Sequence, residues 1–129
     1  MRLNQVTVGV TDLARAVAFY ERLGLEQIVA SPPDYARFLC PDGNSTFSLE
    51  RIDWPTSTTV VYFECDDLDS VVARLAATGI ELEQEPTDQP WLWREARLRD
   101  PDGNPICLFT AGTNRVDPPW RITPRPDAE

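Results

Sequence analysis

The chain has 129 residues, 21 acidic and 12 basic, for a net charge of -9; that length fits one domain, and the acidic balance excludes a surface built for nucleic-acid phosphates. No apolar run approaches the roughly 20 residues that span a bilayer, and residues 1–10 lack the basic start, apolar stretch and cleavage site of a leader, so a cytoplasmic protein is expected. Histidine is absent, which excludes Ser-His-Asp and Cys-His pairs and removes the commonest transition-metal ligand.

The first element is a half-buried strand. "LNQVTVGV" alternates Val6, Val8 and Val10 against Gln5, Thr7 and Gly9. "TDLARAVAFYERLGL" reads as a helix with Asp12 as N-cap, Leu13, Ala16, Val17, Tyr20 and Leu23 at helical spacing, and Gly24 as the stop. Strands are expected at 26–30, 35–39 and 46–52. The order then returns. "STTVVYFEC" is a strand, and "DDLDSVVARLAATGI" is a helix with Asp67 or Asp69 as cap and Gly79 as stop. Strands at 81–84, 93–99 and 106–110 follow.

Asp12 and Asp67 are 55 positions apart, as are Gly24 and Gly79, while the two "PDGN" turns at 41–44 and 101–104 are 60 apart. The chain is therefore an internal repeat with about five residues inserted in its second half, around "PTDQPW". Each "DGN" supplies residues that tolerate positive φ, so the repeated turn is first a folding device. The fold class is α+β: two βαβββ modules, about 1–52 and 58–112, form a curved mixed sheet around a cleft with helices on the outer face. Residues 113–129 form a proline-rich irregular tail, with Trp120 placed to anchor it against the body or a partner subunit. Cys40, Cys65 and Cys107 form no CxxC pair, so buried free thiols are expected.

"VGVTDLARAVAFYERLGL" and "RDPDGNPICLF", with the repeat, resemble the vicinal oxygen chelate superfamily, which includes glyoxalase I, extradiol dioxygenases and bleomycin-resistance proteins. The resemblance covers residues 1 to about 112. It implies the paired βαβββ fold, frequent dimers, and metal ligands on equivalent concave strand positions. Those positions fall here on Gln5, Ser48, Val60 and Cys107. Ser48 is placed by alternation, since strict alignment of the turns gives the core-facing Phe47. Val60 offers no donor, and one amide and one thiol do not make a site. No metal and no cofactor are expected.

Alternation also places the rest of the cleft. Gln5, Thr7, Ser48, Glu50, Val60, Tyr62, Glu64, Trp93, Glu95, Arg97, Cys107 and Phe109 share the concave face. Tyr62, Trp93 and Phe109 supply flat apolar surface, the carboxylates supply acceptors, and Arg97 supplies donors. Glu95 and Arg97, two apart on one face, also read as an exposed ion pair, and Glu50 and Glu64 as solvated edge charges. Trp54 and Trp91 lie beside prolines and read as either loop anchors or pocket walls.

The function expected is metal-free binding of a small molecule, as in the bleomycin-resistance branch, with antibiotic resistance by sequestration of an aromatic or cationic natural product as one form. The alternative is an enzyme of the same superfamily, lyase or dioxygenase-like, using a divergent metal site or Glu64 or Glu95 as general base. A third reading is an interaction domain. The partners expected are a small molecule and a second copy in a homodimer, with neither nucleic acid nor membrane.

Overall fold

The alternating strands and amphipathic helices each present one apolar face, and the fold joins those faces into one core. The computed structural model describes residues 3–54 and 59–122. The chain runs β1 (Gln5–Val10), α1 (Leu13–Leu23), β2 (Glu26–Ser31), β3 (Tyr35–Leu39), β4 (Thr46–Arg51), β5 (Val61–Glu64), α2 (Leu68–Ala77), β6 (Gln84–Asp88), β7 (Arg94–Arg99) and β8 (Pro105–Thr110). A single 3-10 turn, Gly112–Arg115, follows.

Two four-stranded sheets result, in the orders β1-β4-β3-β2 and β5-β8-β7-β6. The two orders are equivalent, with one parallel pair in each, β1 with β4 and β5 with β8. This is the expected α+β pair of βαβββ units. Asp12 caps α1, its side chain accepting from Arg15 N at 3.1 Å. Asp67, rather than Asp69, caps α2 in the same way. Gly24 closes α1 with φ 117°, where a Cβ would be strained.

The core takes Val8, Val10, Phe38, Phe47 and Leu49 from the first sheet and Val61, Ala96, Leu98, Ile106 and Leu108 from the second. Phe47 packs on Tyr20 at 4.6 Å and on Phe63 at 5.8 Å between centroids, so the helix-side apolar faces of both modules meet.

The second "PDGN" turn locks the modules together. Asp100, which precedes it, is buried and fully used. One oxygen accepts from Asp102 N at 2.9 Å and Asn104 N at 2.8 Å. The other accepts from Tyr20 Oη and Asn104 Nδ2, both at 2.8 Å. Asn104 Nδ2 also donates to Gly9 O on β1 at 3.0 Å, and Thr11 N donates to Asp102 at 2.9 Å. The first turn has Cys40 where the second has Asp100, and residues 41–45 stay exposed. The same turn therefore shapes both hairpins but joins the modules only once.

Two strands depart from expectation, and that of "STTVVYFEC" is observed only over Val61–Glu64, with Thr59, Val60 and Cys65 outside it. The strand expected at 81–84 is observed at Gln84–Asp88, with Pro86 inside it and a register irregularity between Gln84 and Thr87. β6 is an edge strand, where a missing N–H costs no ladder bond. Residues 57–58, where "STTVVYFEC" begins, and tail residues 123–129 lie outside the described residues.

Candidate functional site

The faces turned away from the helices carry the residues that alternation assigns to them. On β1 and β4, Gln5 pairs with Thr46, Thr7 with Ser48 and Gly9 with Glu50. On β5, β8 and β7, Tyr62 and Arg97 both pair with Cys107, and Glu64 and Glu95 both pair with Phe109. Thr7 with Ser48 in one module therefore matches Tyr62 with Cys107 in the other. The second module is one residue shorter between its turn and its last strand, which is why strict turn alignment leads to Phe47.

The second module holds a ring cluster. Trp93 and Phe109 stack with centroids 4.4 Å apart and planes 16° from parallel. Tyr62 meets them edge-on, at 6.1 Å from Trp93 and 5.9 Å from Phe109. Phe109 is buried, Trp93 half-buried, and Tyr62 48% exposed, so the cluster opens to solvent at the tyrosine. Trp93 Nε1 donates to Asn114 O at 3.4 Å, and Arg115 pairs with Glu64 at 3.7 Å. The start of the tail thus borders the rings.

Glu95 is not an exposed ion-pair partner. It is 2% exposed, and both oxygens are engaged: Arg97 Nη2 donates to one at 2.9 Å and Trp91 Nε1 to the other at 2.6 Å. Arg97 also lies over the Tyr62 ring, 5.7 Å from its centroid. The short β6–β7 connection explains this, because it folds Trp91 back over its own strand. Trp91 is accordingly a loop anchor, while Trp54 is exposed.

Cys107 is fully buried under this cluster. Burial pushes its thiol up to about 12, with Arg97 opposing and Glu95 adding to the rise. A thiol held in that state is protonated at neutral pH and is a poor nucleophile.

On the first module, Ser48 is fully buried and shares a 2.8 Å hydrogen bond with Tyr35 Oη. Gln5 accepts from Thr46 Oγ1 at 2.7 Å. Thr7 and Glu50 are exposed, and Val60 is half-buried beside the ring cluster. The positions that would hold the family's metal thus supply an engaged amide, an engaged hydroxyl, an alkyl group and one buried thiol. This donor set does not fit a divalent cation. Among the described residues, no three His, Cys, Asp or Glu side chains come together as a metal site.

Tyr35, Arg37 and Trp91 are site residues that the alternation argument leaves out. "YARFL" carries the same period as its neighbours, with Ala36 and Phe38 in the core, so Tyr35 and Arg37 were available from that pattern. Neither of two surface depressions, one at residues 51–54 and one lined by Phe19, Arg22, Leu82 and Arg99, touches the ring cluster.

Known proteins share this fold. The profile of the Glyoxalase/Bleomycin resistance protein/Dioxygenase superfamily matches residues 2–108. The whole chain aligns with 88% of the trivalent organoarsenical cleaving enzyme of Bacillus sp. (strain MD1), at 29% identity. A glyoxalase/bleomycin resistance protein/dioxygenase from Nocardioides superposes over 95% of this chain and 90% of its own, with a TM-score of 0.75 and 23% identity. Lactoylglutathione lyase from Agrobacterium tumefaciens superposes over 84% of this chain and 92% of its own, with a TM-score of 0.71 and 22% identity. Structural likeness at such identities establishes the fold and leaves chemistry to the site. On the profile match and the paired βαβββ sheets together, this chain belongs to the glyoxalase/bleomycin resistance protein/dioxygenase superfamily.

Proposed function

We propose that this chain is a metal-free small-molecule-binding protein of the glyoxalase/bleomycin-resistance type, which holds a flat aromatic ligand against Tyr62 and Trp93, with Phe109 stacked behind them. The observation that carries this reading is the stacked Trp93–Phe109 pair with a half-exposed tyrosine at its edge. Such rings offer large contact area at little conformational cost. Glu64 at the rim and the net charge of -9 suit a ligand with a cationic group. The protein acts as a homodimer in the cytoplasm, with residues 1–112 as the binding domain and 113–129 as a tail whose Asn114 and Arg115 border the rings. Sequestration of a natural product, as in antibiotic resistance, is the biological form this takes.

The test is a panel of planar aromatic natural products titrated into protein dialysed against a chelator, followed by tryptophan fluorescence. Saturable quenching, with the compound recovered unchanged, is the expected result. Binding that needs added divalent metal, or a recovered product, overturns the reading.

A second reading is an enzyme of the superfamily, favoured by the 29% identity to an organoarsenical cleaving enzyme over the whole chain. Glu64 is the freer candidate general base, since both Glu95 oxygens are engaged. Release of inorganic arsenic from a trivalent organoarsenical, lost in Glu64→Gln, would establish this reading in place of the first.

A further inference from the structure

The two modules carry an arginine at equivalent places on their third strands, and the two are neutralised differently. In the second module Arg97 pairs with Glu95, two residues before it on β7. Arg37 holds the equivalent place in the first module, with Ser48 across from it on β4 as Cys107 is across from Arg97 on β8. Two residues before Arg37 stands Tyr35, not a carboxylate. Arg37 Nε donates to Tyr35 Oη at 3.0 Å, and the guanidinium lies 5.5 Å from that ring's centroid. Hydrogen bonds from Ser48 and Arg37 hold the Tyr35 phenol below its ordinary range.

The charge that Glu95 cancels in one module is left uncancelled in the other. Among the described residues no carboxylate pairs with Arg37, and its two terminal nitrogens donate to no protein acceptor. Glu50 stands across from Tyr35, exposed and unpaired with Arg37. The side chain is half-buried in a chain with 21 acidic residues, so the lack of a partner is not a shortage of carboxylates. A guanidinium fixed at Nε and free at both terminal nitrogens presents a planar fork that matches a carboxylate or phosphate oxygen pair.

We propose that Arg37, held in place by Tyr35, is an oxyanion-binding residue on the concave face of the first module, taking a carboxylate or phosphate group. The proposal rests on first-module residues alone and does not depend on the ring platform. The experiment is a titration of 15N-labelled protein with inorganic phosphate, read at the backbone amides of Tyr35, Arg37 and Ser48. A saturable shift is expected in the native chain. Arg37→Gln, and Tyr35→Glu, which supplies the carboxylate the second module has, should each weaken binding at least about tenfold, the scale of one charge-assisted contact. Trp93→Ala should leave it unchanged. A native chain without a saturable shift, native affinity in both Arg37→Gln and Tyr35→Glu, or loss of phosphate binding in Trp93→Ala would each overturn the proposal.

Discussion

The indole of Trp91 donates to Glu95 at 2.6 Å, so an exposed loop residue closes over a buried carboxylate. Arg97 holds the other oxygen, and the three side chains form one connected unit beneath the rings. Removing the carboxylate frees both donors. Glu95→Ala is expected to cost about 2–3 kcal/mol, the scale for a buried charged hydrogen-bond acceptor. Urea unfolding measures that loss, and the Trp91→Phe variant should lose less than half as much, since Arg97 would keep its partner.

Asp100 ties the second module's turn to the first module through Tyr20 and Asn104. Asp100→Ala leaves two backbone donors, a phenol and an amide without their acceptor. A loss of about 3–4 kcal/mol is expected, or roughly 10 °C in Tm for a chain of this size. Asp42→Ala, in the exposed first turn, should change Tm by less than about 2 °C. Equal effects of the two variants in thermal denaturation would contradict the locking role.

The Cys107 thiol sets a pH window. An exposed thiol titrates near about 8.5, and burial raises Cys107 to about 12 in the folded chain. Between those values the native state keeps a proton that the unfolded chain has released. The stabilising contribution is therefore full below about pH 8.5 and is lost as pH rises toward 12. Cys107→Ala should flatten the fall of stability across that range, measured as urea midpoints at several alkaline pH values. Cys40 and Cys65, also raised by burial, remain in both proteins and leave a shallower slope. An unchanged slope would contradict the buried, protonated thiol.

Much of the fold was legible because it rests on local periodicity. Val6, Val8 and Val10 against Gln5, Thr7 and Gly9 predict both a strand and its faces, and the repeat carries that reading into the second half. Pro86 misleads, because proline argues against a strand unless the strand is known to lie at an edge. The site was legible by face and not by pairing. Alternation puts Glu95 on the concave side but cannot say that Trp91 folds back to bury it, since that depends on the path of a short loop. Tyr35 and Arg37 show the same limit: their period is readable, but their bond along β3 and the bond of Tyr35 across to Ser48 arise from side-chain reach.

The central claim is that the stacked rings bind a flat ligand without metal. Isothermal titration of chelator-dialysed protein with the strongest-quenching aromatic compound, beside Trp93→Ala, tests it most directly. Stacking on one ring is worth about 1–3 kcal/mol, so the variant should bind at least about fivefold more weakly, with the native affinity unchanged by added zinc, iron or nickel. Equal affinity in Trp93→Ala, or binding that appears only with metal, would contradict the account.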